Sequence, residues 1–414
     1  MARGEGGPAR DTADAVARRS YGKLVAFLAS RTRDVAGAED ALSEAFAAAL
    51  EHWPSEGVPR NPEAWLMQVA KRRMIDAERR RQSGANGAEH LRLLAELGGE
   101  VEAQIPDDRL SLMFVCSHPA IDAGIRAPLM LQTILGFDAA AIGSAFLVAP
   151  STMGQRLVRA KARIQQTGIP FRVPGQGELR ERLSSVLDAI YAVFAEGWAD
   201  PAGTDARRRN LAAEGIWLGR LVASLLPEEP EALGLLALML HAEARRRARR
   251  SIDGGYVPLS EQNPAAWNAA LIDEAEALLF RASTMGAVGR FQLEAAVQSA
   301  HAARRVTGDT DWAAIAHLYD NLLALSASPV VAINRAIAIA EARGCAQGLA
   351  ALDALAGDAR LAEYQPYWAA RAGLLARSGD TGAAGLAYER AIGLESDPAV
   401  RRFLQQAHAR LLRR

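Results

Sequence analysis

Apolar residues recur along almost the whole chain at the three- and four-residue intervals of a helix, and bounded runs of alternating Val, Ile, Thr and Tyr are missing. The pattern predicts an all-α fold. Between Ala38 and Glu51 the series Ala38, Ala41, Leu42, Ala45, Phe46, Ala49 and Leu50 marks one inward face and leaves Asp40, Glu44 and Glu51 as an acidic stripe. Asn61-Pro62, a cap residue followed by Pro at a first helical position, opens a helix expected to reach Arg81. Leu66, Ala70, Met74 and Ala77 face inward there, while Trp65, Arg72, Asp76 and Arg79 share a second face. From Phe137 to Ile164 the pattern reads helix, short turn, helix: Phe137 to Ile142, the break Leu147 to Pro150, then a helix capped by Ser151-Thr152. Met153, Leu157, Ala160 and Ile164 point inward in this last helix, and Thr152, Arg156, Arg159 and Arg163 point outward.

Gly- and Pro-bearing stretches at 82–87 and 168–177 read as linkers. They predict segments 1–81 and 107–167, joined by a linker over 82–106, and a third segment, 178–414, after the linker 168–177. Near the C-terminus Trp368, Ala372, Leu375, Ala384, Tyr388 and Ala391 follow the small-and-large spacing of a tetratricopeptide repeat. Asn334, Ala338 and Ala350 precede Trp368, Ala372 and Ala384 by 34 residues. One good repeat and one degenerate one are too few for a free-standing stack, so helices from about Arg180 onward are expected to extend it.

Composition agrees with this reading and moves the search for chemistry to local clusters. At about 100–200 residues per domain, 414 residues hold two to four domains. The 50% hydrophobic content is dominated by Ala and Leu, which favours helices. Lys+Arg and Asp+Glu are both 48, so no overall basic excess announces a nucleic-acid partner. Locally, Lys71 to Arg81 holds six basic residues, and Ser151 to Arg172 holds five with no acidic one. Basic clusters thus close the first two segments. Two distant cysteines, no signal peptide and no 18-residue apolar run point to a reducing cytoplasm and away from a membrane. Cys116 and His118 read as core packing, and His241-Ala242-Glu243 lacks the second His of a zinc helix. With no phosphate loop, nucleophile elbow or paired carboxylates, an enzyme is the poorer hypothesis, and neither cofactor nor metal is expected.

Together, in this order and spacing, the first three constellations resemble regions 2 and 4 of an RNA polymerase sigma factor of the extracytoplasmic-function type. Ala38-Glu39-Asp40-Ala41 with Phe46 is similar to the core-binding helix. Ala64 to Arg73, with Asp76 and Arg79 to Arg81, is similar to the −10 element helix, and Thr152 to Lys161 to the −35 helix. Phe114 to Pro119, Ala145 to Leu147, Gly168 to Pro174, Ala192 to Trp198 and Asp253 to Leu259 resemble the subgroup that carries a helical, repeat-like C-terminal extension. Departures are Ala139-Ala140, in place of a charged pair, and Gly154 inside the −35 helix.

The resemblance implies contacts to the β and β′ subunits of the polymerase core by Asp40, Glu44, Phe46 and Glu51. It implies −10 contacts by Arg60, Trp65, Lys71, Arg72, Arg73, Asp76, Arg79 and Arg80. For the −35 element it implies Ser151, Thr152, Gln155, Arg156, Arg159, Lys161 and Arg163. The extension is expected to modulate activity through internal contact with the sigma regions, with Asp253, Gly254, Gly255 and Tyr256 as its working loop. The alternative is a stand-alone helix-turn-helix regulator, or an adapter with a helical-repeat protein-binding domain.

Overall fold

The computed structural model describes residues 8–81, 105–146, 148–198 and 206–413. Among these residues regular structure is entirely helical, apart from one isolated bridge between Arg250 and Tyr256, and no helix is long and apolar enough to cross a membrane. The chain is all-α, as its periodicity predicts. The linker expected over 82–106 lies largely outside the described residues. Packing separates two compact units, residues 1–197 and 198–414.

In the first unit α1 (Pro8–Thr32), α2 (Val35–Glu56) and α3 (Pro62–Arg81) pack on one another around Leu24, Leu28, Leu42, Leu66 and Met67, all essentially buried. Asp34 caps α2, its Oδ1 accepting from the Gly37 amide at 2.9 Å. Four further helices follow: α4 (Arg109–Cys116), α5 (Ala123–Leu135), α6 (Ala139–Ala145) and α7 (Pro150–Thr167). The two N-terminal segments share one core, because α1 packs on α2 and α3 and also on α4 and α5. Gly22 sits at that crossing, where a Cβ would lie 2.2 Å from the Ile134 carbonyl oxygen. Only glycine permits so close an approach. Next comes α8 (Gln176–Trp198), at the start of the expected C-terminal segment but tied to this unit: the Arg182 guanidinium donates to the Phe114 carbonyl at 3.0 Å, and Arg126 to Ser185 Oγ at 3.4 Å.

Two local expectations need correction. The inward face of α2 runs Ala38, Ala41, Leu42, Ala45, Ala49 and Trp53, so Leu50 is 47% exposed and Phe46 only half-buried, while Glu39 is buried. Twelve residues at about 100° each, a little over three turns, leave Leu50 about 120° around the helix from Ala38. Second, α6 starts at Ala139, capped by Asp138, whose Oδ1 accepts from the Ala141 amide at 2.6 Å. Helix α7 begins at Pro150, so Ser151 and Thr152 lie in its first turn rather than at its cap. Proline is preset for that first helical position. Between them Gly143 does the work expected of a glycine in the turn itself, since a Cβ there would meet the Val148 carbonyl oxygen at 2.7 Å.

The second unit comprises α9 (Ala206–Leu225), α10 (Pro230–Ala244), α11 (Ala269–Ser283), α12 (Arg290–Ala302), the single turn α13 (Arg304–Thr307), α14 (Trp312–Leu325), α15 (Pro329–Arg343), α16 (Cys345–Asp353), α17 (Gln365–Ser378), α18 (Thr381–Leu394) and α19 (Pro398–Leu411). The apolar run Leu233 to Leu240 is one helix, α10, buried on every side by α9, α11 and α12. Farther on, each helix packs mainly on its sequence neighbours. Ala372, Leu375, Ala384, Tyr388 and Ala391 meet in one cluster between α17 and α18, with Trp368 at its edge. Small residues at those positions bring the two helices close.

Candidate nucleic-acid interface

On α2 the side chains of Asp40, Glu44 and Glu51 are exposed. Glu44 reaches α3, where its Oε2 lies 3.3 Å from Arg73 Nε. Both partners are about half exposed, so the pair contributes little to stability and leaves each group accessible. On α3, opened by Asn61 Oδ1 accepting from the Ala64 amide at 3.1 Å, Arg72 and Asp76 are also exposed. Arg60 is exposed in the preceding loop, which leaves α2 through Gly57 at φ 89°. The Trp65 ring is half-buried and packs edge-on against Trp53 with centroids 5.5 Å apart. Burial, helped by Arg31, lowers the Lys71 ammonium pKa. Arg79 and Arg80 are in α3, but their side chains lie outside the described residues.

Along α7, Ser151, Thr152, Gln155, Arg156, Arg159 and Arg163 are exposed, opposite the buried Met153, Leu157, Ala160 and Ile164. Arg156, Arg159, Ala160 and Arg163 form one wall of a cavity of about 560 Å³. Its other wall is the turn into α5, made of Ala120, Ile121, Asp122, Gly124 and Ile125. Lys161 departs from its neighbours. Its Nζ bonds Glu39 Oε2 at 2.7 Å, with the two side chains only 13% and 8% exposed. This pair joins α7 to α2. Burial pushes the Glu39 carboxyl up, while Lys161 pulls it back. In this arrangement Lys161 is spent on Glu39 and is not presented to a DNA backbone. Sequence periodicity missed both residues of the pair, because a charged side chain facing inward carries no signal until its partner is known.

The expected C-terminal loop is a tight turn anchored on its own unit. Gly254, at φ 80°, donates its amide to the Ser251 carbonyl, and the Ser251 amide donates to Gly255, both at 2.9 Å. Tyr256 stacks edge-on against Phe403 of α19 at 5.5 Å. Arg250 bonds Asp397 at 2.6 Å, with both side chains largely buried. Asp253 is fully exposed, and a hydrogen bond from Ser251 of the same turn holds its carboxyl below the usual range. Cys116 packs in the core with Sγ 3.4 Å from Thr133 Oγ1, and burial pushes its thiol up to about 12.

Comparison with known proteins agrees with the geometry of the first three helices. Residues 16–84 match Sigma-70 region 2, and residues 182–283 match a family of unknown function (DUF6596). The chain is 39% identical over 368 residues to an uncharacterized protein of Rhizobium meliloti (strain 1021), covering 87% of this chain and 86% of that protein. No solved structure matches. Region 2 carries a role in promoter recognition and opening by RNA polymerase, with the polymerase core and promoter DNA as partners. The chain belongs to the family it shares with the Rhizobium meliloti protein and, through its region 2, is a sigma-70 family factor.

Proposed function

We propose that the chain is a sigma factor of the extracytoplasmic-function type, acting in the cytoplasm, with a tetratricopeptide-like C-terminal extension that modulates its activity. Asp40, Glu44, Phe46 and Glu51 of α2 dock the β and β′ subunits of the core. Exposed residues of α3 and its preceding loop, Arg60, Arg72, Arg73 and Asp76, with Trp65 beside them, open and hold the −10 element. An unstacked base held on protein offsets the few kcal/mol of unpairing. Ser151, Thr152, Gln155, Arg156, Arg159 and Arg163 of α7 contact the −35 element, polar residues of the first turn at base edges and arginines at phosphates. The carrying observation is that the region 2 match falls on α1, α2 and α3, whose acidic and basic faces are solvent-exposed on adjoining helices.

Run-off transcription with purified core polymerase tests the assignment. A discrete core-dependent transcript is expected, and the double variant Asp40→Lys, Glu44→Lys should weaken core binding by about 1–3 kcal/mol per contact while circular dichroism stays native. Tight binding of duplex DNA by the chain alone, with no core-dependent transcript, would instead identify a stand-alone regulator. For the extension, a chain ending at Gly197 keeps α8 with its own unit, and its transcription should differ from that of the full chain.

A further inference from the structure

The three arginines of α7 stand over a recess rather than on a convex ridge. We propose that the cavity between α7 and the turn into α5 binds a small ligand bearing two or more phosphates on a flat organic body, a nucleoside polyphosphate by chemical class, and that this ligand competes with promoter DNA. The proposal rests on the assignment of Arg156, Arg159 and Arg163 to phosphate contacts. Among the described residues none of the three guanidiniums makes an ion pair. The one acid in the lining, Asp122, caps α5, its Oδ1 accepting from the Gly124 amide at 2.9 Å, and with the three arginines it leaves the lining a formal charge of +2.

Spacing selects the number of charges. At 1.5 Å per residue Arg156, Arg159 and Arg163 spread over about 10 Å of helix, a span suited to several phosphates and wasted on a single one. Guanidiniums bind phosphate oxygens in pairs of parallel hydrogen bonds and also stack on flat rings. Apolar Ile121, Ile125 and Ala160 line the recess, a surface a bare polyanion would leave unused. A volume of about 560 Å³ falls within the range of small-molecule sites, roughly 300–1,000 Å³. A duplex backbone is a long rod that runs across such a recess without filling it.

Occupancy has a direct consequence for the proposed function. A polyphosphate held by Arg156, Arg159 and Arg163 neutralises the positive field that attracts DNA to α7. Ligand and −35 DNA therefore exclude one another.

Calorimetric titration of the full-length chain with ATP and with inorganic pyrophosphate, at fixed ionic strength and without magnesium, tests the proposal. Saturable one-to-one binding of ATP is expected, with pyrophosphate weaker by about tenfold or more because it leaves the apolar floor uncovered. Ala120→Trp fills the exposed mouth of the recess without changing a charge, so it should weaken ATP about tenfold while leaving affinity for a promoter duplex intact. Arg159→Ala should weaken both. In wild type, ATP should displace a labelled duplex, and in the Ala120→Trp variant it should not. Absence of ATP binding, equal affinity for pyrophosphate, or ATP binding undiminished by Ala120→Trp each overturns the inference. If ATP fails to bind but Arg159→Ala still impairs promoter binding, the pocket is refuted and the sigma assignment stands. If ATP binds as expected but the chain with core polymerase opens no promoter in the absence of nucleotides, the pocket stands and the assignment falls.

Discussion

Lys161→Met isolates the contact that ties α7 to α2. The substitution leaves Glu39 in place with side-chain exposure of 8% in the parent, its Oε2 stripped of the only partner it shows and its Oε1 already without one. Removing one member of a buried pair costs about 3–5 kcal/mol, chiefly the penalty of the stranded charge; because Lys161 is 13% exposed we take the lower end, about 3 kcal/mol. At about 2.1 cal/mol/K per residue, the 166 described residues of the first unit unfold with an entropy near 0.35 kcal/mol/K, so Tm of that unit should fall by about 9 °C. The loss depends on pH. Because the folded Glu39 pKa is raised, the carboxyl favours the folded state below its ordinary range near 4.5, and that contribution is lost as pH rises through the folded value. Lys161 opposes the rise, so its removal moves the folded pKa further up. The deficit should therefore shrink as pH falls toward the ordinary carboxylate range and grow as pH rises, a comparison made at about pH 5 and about pH 8. Scanning calorimetry of the full chain at both pH values reads it directly. The double variant Glu39→Leu, Lys161→Met should recover to within about 1 kcal/mol, since an apolar pair needs no desolvation. A Tm for Lys161→Met within about 2 °C of the parent at pH 8 would refute the reasoning, because a solvated pair is worth that little.

Gly22→Ala places a methyl group against the Ile134 carbonyl oxygen, backbone that cannot yield, and should cost about 1–3 kcal/mol in the same calorimetric scan; an unchanged Tm would show that α1 and α5 separate freely. Arg72→Ala removes an exposed charge and should leave stability within about 0.5 kcal/mol of the parent while reducing promoter opening, read as loss of permanganate-reactive thymines; undiminished opening counts against its −10 role. Tyr256→Ala forfeits the ring contact with Phe403, worth about 0.5–1.5 kcal/mol beyond its buried area, and should speed proteolysis within residues 245–260, whereas exposed Asp253→Ala should not; equal protection of both variants would show that the turn is held without the ring.

Periodicity made the helices legible because each turns one apolar stripe inward, and α2, α3 and α7 follow that rule over most of their length. The pairing of α17 with α18 was legible for a different reason: small residues at fixed intervals record how closely two helices approach, and both helices are adjacent in sequence. What stayed hidden depends on partners far along the chain. Glu39 and Lys161 are 122 residues apart, and nothing near either one distinguishes an inward charge from a solvated one. The Asp253 to Tyr256 turn reads as an open working loop until Phe403 and Asp397 are brought against it, the latter 147 residues from Arg250. The basic run Arg245 to Arg250 is likewise divided by tertiary contacts: Arg245 bonds Gln298, Arg249 stacks on the Trp198 ring, Arg250 bonds Asp397, and Arg247 faces solvent.

On the proposed assignment the Glu39–Lys161 contact also bears on how a promoter is engaged. Elements named for positions −10 and −35 lie about 25 base pairs apart, roughly 85 Å of duplex at 3.4 Å per pair. A compact unit of 197 residues has a radius of gyration of about 16 Å, so α3 and α7 held in one body fall well short of that span. Engaging both elements therefore requires α7 and its neighbours to leave α1 and α2, which breaks the Glu39–Lys161 bond, the hydrogen bond from Ser30 Oγ to Asp108 at 2.8 Å and the ion pair of Arg31 with Asp108 at 3.1 Å. The core-binding face lies on the same helix as Glu39, one residue from Asp40, so docking of the core on that stripe acts directly beside the contact that must open. Lys161 would then be freed on the helix that carries Arg156 and Arg159, adding one phosphate-binding charge in the open state that the closed unit withholds. Salt dependence of promoter binding measures this: Lys161→Met should lower the slope by about one unit with core present and leave it unchanged for the isolated chain, and equal slopes in both settings would mean that α7 never leaves α2.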